Sequence, residues 1–245
     1  ANTTGTENTA LGNRSLDANT TGSNNTAVGQ AALTNATTGS NNTAVGDDAL
    51  EANTTASDNT AVGSNSLASN TTGNRNTGLG QGALGNNTNA NDNTAVGRDA
   101  MFYNTTGTGS TALGKSSLES HTTGNYNTGV GFQALYSSTT SNNNSAVGQS
   151  SLYAITTGSE NTAIGESSGI NITTGANNLC LGHDAGKDTS PSGTISTHSN
   201  RICIGDNNIA DGFIKVSLTA TSDKRDKTDI EDFNYGLSWI NKLRP

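Results

Sequence analysis

Glycine returns every 17 residues through most of this chain, at positions 12, 29, 46, 63, 80, 97, 114, 131, 148, 165 and 182, without insertion or deletion. A globular domain has no reason to hold a fixed period over eleven repeats, whereas a stack of like rungs does. Each glycine closes the same short phrase. NNTAVG stands at 24–29 and 41–46, DNTAVG at 58–63 and 92–97, and ENTAIG at 160–165. The period predicts an all-β fibre, a repetitive β-solenoid or triple β-helix with 17-residue rungs.

The columns of the repeat carry the physics. An aliphatic residue precedes every glycine, as at Val28, Val45, Val62, Val96, Val130 and Val147. One step earlier the residue is always small: Ala in eight repeats, then Gly78, Gly129 and Cys180. Four residues before the glycine stands Asn in ten of eleven repeats, with Ser110 the exception, and four after it stands Leu or Met nine times. Thr-Ala-Val-Gly reads as a short strand, whose successive side chains point to opposite faces. The aliphatic and small columns then face different ways. The valines are assigned to a core ladder, and the small column to a face that a second chain or sheet approaches closely. The segment after the glycine, such as QAAL at 30–33, reads as a second strand or turn whose Leu enters the core. Asn-Thr-Thr-Gly reads as the bend, because Asn and Gly tolerate left-handed conformations. The near-constant Asn column is expected to stack as a hydrogen-bonded ladder.

Such rungs are lean, with 30% hydrophobic and 4% aromatic residues overall. A solitary coil this thin would be marginal, and association along its length, most simply as a homotrimer, would cover the remaining face. A chain coiled on itself advances ~4.8 Å per rung, for a rod of roughly 50 Å, whereas three intertwined chains would reach roughly 150 Å. The net charge of −8 comes with no basic stripe to neutralise phosphates, which excludes nucleic acid as a partner. No apolar run approaches the ~20 residues of a membrane-spanning helix. No Ser/His/Asp set, acidic pair or calcium-binding motif recurs at a fixed place, so neither a cofactor, a metal nor an enzymatic activity is expected.

A few residues depart from the pattern. Cys180 and Cys203 each stand two residues before a motif glycine. They read as buried substitutes for Ala, or as a disulfide between successive rungs or between chains. His183 and His198 lie near them, at a spacing that fits no zinc pattern. Phe102, Tyr136 and Tyr153 share the column five after the glycine, and are candidates either for packing over the bend or for contact with a glycan. The paired threonines raise an ice-ordering face, but neighbours point to opposite sides and only one of each pair could join it.

After Gly182 the rhythm breaks. Residues 183–200 include Pro191, and RICIG at 201–205 restores the strand phrase six residues late. Alternation at Phe213-Ile214, Val216 and Leu218 suggests a β-rich neck, and Ile230, Phe233, Leu237 and Ile240 follow a helical spacing. The chain divides into a shaft (1–182), an irregular rung with a neck (183–221) and a distinct C-terminal segment (222–245), and its opening in mid-repeat suggests a piece of something longer.

That last segment, SDKRDKTDIEDFNYGLSWINKLRP, resembles the opening of the endosialidase-type intramolecular chaperone of phage tail spikes and fibres. The family signature is Ser-Asp-x-Arg-x-Lys, then Ile, a helix and Leu-Arg-Pro, and it is matched by Ser222, Asp223, Arg225, Lys227, Ile230 and Leu243-Arg244-Pro245. The resemblance implies a homotrimer assembled by its chaperone and released by self-cleavage between Ser222 and Asp223. Ser222 would be the nucleophile and Lys227 its activating partner. The repeats are also similar to those of phage-like tail-fibre proteins and, more loosely, to trimeric autotransporter adhesin heads, whose rung is shorter. These resemblances imply a structural or adhesive fibre of a virion tail that holds or forms a host-contact surface. Its partners would be its own copies, other tail or baseplate proteins and a receptor such as a glycan. The alternatives are a trimeric adhesin or filament of a bacterial surface, and a polysaccharide-degrading tail spike.

Overall fold

The computed structural model describes residues 2–188, 190 and 192–210. The expected neck beyond 210 and the helix after Thr228 lie outside the described residues. Twelve three-residue strands, from β1 (Thr9–Leu11) and β2 (Thr26–Val28) to β11 (Leu179–Leu181) and β12 (Ile202–Ile204), form one parallel sheet in sequence order. The register repeats the sequence period, with Thr26 opposite Thr43, Ala27 opposite Ala44 and Val28 opposite Val45. Each strand pairs with the next strand of its own chain, so the described region is a self-coiled β-solenoid rather than an intertwined triple β-helix. Eleven steps of ~4.8 Å give a rod of roughly 50 Å.

The coil closes because every rung carries residues in the left-handed region. In the second rung these are Asn24 (φ 58°), Ala31 (φ 53°) and Leu33 (φ 52°), and their counterparts repeat along the rod. A left-handed non-glycine residue costs about 1–2 kcal/mol. Each of the three is held by a backbone bond to a neighbouring rung. The N–H of Asn24 donates to Thr6 O (3.0 Å), that of Ala31 to Asn13 O (2.9 Å) and that of Leu33 to Ala49 O (3.0 Å). The motif glycine is required twice over. Gly29 has φ 138°, and a Cβ there would collide with the carbonyl oxygen of Gly46. The Asn-Thr-Thr-Gly stretch, expected to bend through left-handed Asn and Gly, has a negative φ at both, as at Asn19 and Gly22. It turns on buried side-chain hydrogen bonds instead.

The interior is filled from the turn, not from the strand's aliphatic column. Leu33, Leu50, Leu67, Leu84, Met101 and their successors are fully buried, and so are Ala27, Ala44, Ala61 and Ala95 on the strands. The inner face of each strand lies against the turn of the preceding rung. A Cβ on Gly78 would sit 2.6 Å from Ser66 Oγ and 3.5 Å from Leu67 Cδ1. Only a small side chain fits there, which corrects the assignment of the core ladder. Val28, Val45, Val96 and Val130 are half-buried and point outward, and Val62 and Val147 are exposed.

Two polar ladders run through the interior. In the expected one, Asn59 N–H donates to Asn42 Oδ1 (3.0 Å), Asn59 Nδ2 donates to Gly73 O (2.9 Å), and Asn59 Oδ1 accepts from Asn76 N–H (2.9 Å). The other, seven residues after the glycine, runs Asn19, Ala36, Asn53, Asn70, Asn87, Asn104, His121 and Ser138, all buried. Asn87 Nδ2 donates to Asn70 Oδ1 (2.8 Å) and Asn104 Nδ2 to Asn87 Oδ1 (3.0 Å). The column turns apolar at Ile155, Ile172 and Ile195. The late rung is accommodated here. Leu179 pairs with Ile202 and Cys180 with Cys203, 23 residues apart. Ile195 N–H donates to Gly186 O (3.1 Å), which closes off the extra residues between them, and Ile195 refills the core.

Ala36 interrupts the second ladder, and among the described residues Asn19 Oδ1 is a buried polar atom with no hydrogen-bond partner. Ala36→Asn supplies an amide at the position from which Asn87 reaches Asn70. The variant is expected to gain about 1 kcal/mol in urea unfolding, whereas Asn59→Ala, which strips three rungs of a shared partner, should lose about 2–3 kcal/mol.

His121 is held neutral by burial, which lowers its pKa to about 4 although its Nε2–H donates to Gly124 O (2.7 Å), a bond that by itself raises the value. Its ordinary value is 6.5. Between pH 6.5 and 4 the unfolded chain takes up a proton that the folded chain refuses, so stability falls as the pH drops through that window. The loss should reach about 3 kcal/mol near pH 4. His121→Asn, which continues the ladder, should flatten that part of the pH profile in parallel denaturation curves.

Candidate functional site

The outward side of the sheet is a surface set by alternation. With Ala turned inward, the Thr and the aliphatic residue flanking it on each strand must face out. The result is two parallel rows, Thr26, Thr43, Thr60 and onward beside Val28, Val45, Val62 and onward, each in register with the next. Exposure of the aliphatic row reaches 67% at Leu11, 46% at Leu113, 47% at Ile164 and 66% at Ile204. A continuous apolar row along a whole sheet is a surface that seeks cover. Covering one half-exposed valine is worth about 1 kcal/mol. Association costs roughly 4–15 kcal/mol, so one rung cannot hold two chains together and an unbroken row can.

A second feature lies on one corner of the coil. Phe102, Tyr136 and Tyr153, which share a column, are brought to the same corner but are not one stack. Tyr136 and Tyr153 lie face to face, with centroids 5.1 Å apart and planes within 4°. Phe102 is separated from them by the Glu119 rung, and lies edge-on to Tyr103 at 4.9 Å. Phe102 covers a gap left by glycine. A Cβ on Gly85 would sit 2.8 Å from its ring, so the ring packs against that glycine. Tyr103, beside it, is 49% exposed and overhangs a groove of about 580 Å³. Asn86, Tyr103 and Ser120 line one side of this groove and Thr88, Thr105 and Thr122 the other. Those threonines turn their hydroxyls inward: Thr88 and Thr105 donate to the carbonyls of Thr105 and Thr122, at 3.0 Å each. The Tyr136 hydroxyl has a raised pKa, first from the Glu119 carboxylate, then from burial and from Tyr153 and Tyr103.

Tyr103 and Glu119 were not among the expected contact residues. The available signal was their adjacency to the aromatic column in a chain otherwise almost without aromatics. Ser222, Asp223 and Lys227, the expected self-cleavage residues, lie outside the described residues. Cys180 and Cys203 are register partners on neighbouring rungs, buried, and present as free thiols rather than a disulfide. His183 is drawn to Asp206, Nδ1 to Oδ2 3.2 Å. Among the described residues no cluster of three or more His, Cys, Asp or Glu is placed to hold a metal ion. Comparison with protein-family models, curated proteins and solved structures finds no match.

Burial, followed by the neighbouring Cys203, pushes the Cys180 thiol up to about 12, and a thiol in that state is a poor nucleophile. Iodoacetamide at pH 8 is expected to leave Cys180 unmodified in the folded protein and to alkylate it on unfolding in urea. Peptide mass spectrometry reads the difference, and rapid alkylation of the native chain would contradict the burial described.

Proposed function

We propose that this chain is the shaft of a structural and adhesive fibre, in which copies pack side by side through their outward Thr/Val faces to form a homotrimer. The supporting observation is the aliphatic row, outward on every strand from β1 to β12, which the single chain leaves half-buried at some rungs and exposed at others. The resemblance of residues 222–245 to a tail-fibre chaperone supplies the number three, the setting on a virion tail and the role of assembly for that segment. In this reading the rod carries a host-contact surface away from the particle. Its C-terminal segment brings the three chains into register, and Ser222, activated by Lys227, releases that segment at the Ser222–Asp223 bond.

The packing geometry explains why the sheet is suited to this. Strands stacked in register place identical side chains at identical heights. Copies meeting face to face can therefore match Val to Val along the whole length. The inner Ala and Leu columns already stabilise each coil, so the outer columns are free to serve association.

Light scattering on the full chain is expected to give the mass of three 24.8-kDa chains at micromolar concentration. Val62→Asp combined with Val96→Asp should reduce this to one chain while leaving the β spectrum intact, because neither side chain belongs to the chain's own core. A wild-type protein that runs as a single chain, unchanged by the double substitution, would overturn the reading. Denaturing mass spectrometry of the same sample reports separately on cleavage at Ser222–Asp223.

A further inference from the structure

The outward aliphatic row repeats the same kind of residue at every rung, and for association between copies this is a weakness. A copy displaced by one rung, ~4.8 Å, brings valine back against valine. The row supplies area without fixing the register. Displaced copies stagger into open assemblies instead of closed ones. What sets the register must therefore lie beside the row, in columns whose residues do not repeat.

Two exposed columns border it. One stands five residues before the motif glycine and the other one residue after it, at the two ends of each strand. In the rungs closed by Gly12 to Gly182 the first column is Asn, Asp, Glu, Arg or Gly except at Tyr126. The second is Asn, Gln, Ser, Asp, Glu, Arg, Lys or His except at Phe132. Both exceptions fall on one rung, Tyr126 two residues before β8 (Thr128–Val130) and Phe132 two after it. They are 66% and 42% exposed. Each is steadied by the rung before it. The Tyr126 ring packs over Gly109, where a Cβ would sit 2.7 Å from it, and Lys115 Nζ lies 5.8 Å from the centroid of the Phe132 ring. Six residues of extended chain span roughly 20 Å, so the two rings of one chain stand at opposite edges of the face.

Which edge meets which follows from symmetry. Copies related by an axis parallel to the rod bring the Tyr126 edge of one against the Phe132 edge of the next, rung for rung. Copies related by an axis across the rod bring like edges together. We propose that the partner of this face is a parallel, unshifted copy of the chain, and that Tyr126 of each copy packs against Phe132 of its neighbour as the contact that fixes the register. The inference rests on reading the outward face as an interface between copies. A shift of one rung sets Tyr126 against Lys115 or Gln149, and Phe132 against Asn143 or Gly109, so the ring pair is lost. Charge does not make the selection. At zero shift Asp92 faces Arg98, but Glu160 faces Glu166, and Asp92 and Arg98 are already bridged within the chain to Arg75 (2.6 Å) and Asp99 (2.9 Å). Exposed tyrosine at the edge of an apolar face is the kind of residue that anchors interfaces.

Cross-linking on the next rung reads the register with both rings left in place. Asn143 and Gln149 border β9 (Ser145–Val147) as Tyr126 and Phe132 border β8. The full chain carries Asn143→Cys with Gln149→Cys for zero shift, or Asn143→Cys with Glu166→Cys for a shift of one rung. Both are made over Cys180→Ala and Cys203→Ala and treated with a short bismaleimide, and denaturing gels count linked chains. The zero-shift pair is expected to link chains about tenfold faster than the shifted pair. Tyr126→Ser with Phe132→Ser should bring the two rates together, whereas Tyr103→Ser, which removes a ring away from this face, should leave them apart. Unfolding midpoints of the variants distinguish loss of register from loss of the fold. The proposal is overturned if the shifted pair links as fast with both rings present, if neither pair links, or if the preference survives loss of the rings. It is also overturned if Asn143→Cys alone links as fast as the zero-shift pair, since like edges then meet. Native mass separates this from the reading beneath it. Three chains with no preference for zero shift would leave the trimer standing without this anchor, and a single chain would remove both.

Discussion

The interaction on which the rest of the structure depends is the asparagine ladder at the entry to each strand. Asn59 is bonded to Asn42 through its own N–H and to Asn76 through its side-chain oxygen, while its amide holds the carbonyl of Gly73. One side chain thereby ties three successive turns together at one height. A residue inserted between two such asparagines must be looped out of the rung, because displacing the next one from its partner would leave a buried amide or N–H unsatisfied, at a cost of about 1–3 kcal/mol for each group. A fixed period of 17 residues meets this constraint without any loop. Among the described residues the chain lengthens in one place, between Gly186 and Ile195 on the turn, where Ile195 N–H donates to Gly186 O (3.1 Å) and closes off the longer segment. Asn178 still accepts from Arg201 N–H across the longer step (3.0 Å).

A ladder of amides inside the coil changes what the hydrophobic residues must do. Polar side chains occupy two interior columns, and Leu from the turn occupies the centre. The strand's inner face is left with room for a methyl group and little more. The larger aliphatic side chain is then forced out, and the sheet presents its valines to the surface. In most half-buried strands the larger apolar residue faces the core. Here the order is reversed, because the core is fixed first by turns and amides. The same reversal makes one chain self-sufficient in its interior and incomplete on its outside.

How much of this could be read from the sequence depends on which force sets each column. The period, one short strand in each repeat, the fixed glycine and the Asn ladder were legible, since each leaves one residue type in one place, although the strand stops one residue before the glycine that was read as part of it. The direction of the strand was not. Ala and Val columns are both uncharged, and only the position of the Leu67 side chain across the coil decides which of them fits inside. The second polar ladder was hidden by its own tolerance: Asn, Ala, His, Ser and Ile all succeed one another there, because the interior accepts either an amide chain or an apolar one. The left-handed leucines were invisible for another reason. Leu rarely adopts that conformation alone, and here it is held by backbone bonds between rungs that no single repeat encodes. At the aromatic corner the shared column of Phe102, Tyr136 and Tyr153 was legible, but not the division of labour within it.

That division suggests how a periodic protein can acquire a specific site. Every column that stabilises the rod is under the same constraint in each rung, so changing one residue there disturbs its neighbours above and below. The corner five and six residues after the glycine is bound by this less tightly, since its contacts between rungs, such as Phe102 over Gly85, are not repeated in every rung. Its side chains point away from both ladders, and Asp17, Gly85 and Ile170 occupy it equally well. Tyrosines placed at that corner add surface without altering the stack, and the rungs hold them at fixed heights by the same backbone bonds that hold the rest, as when Tyr103 N–H donates to Glu119 O (3.0 Å). The rod is thus a ruler for surface side chains: its spacing is imposed by the asparagines within, and its variety is carried by the few positions that those asparagines leave unconstrained.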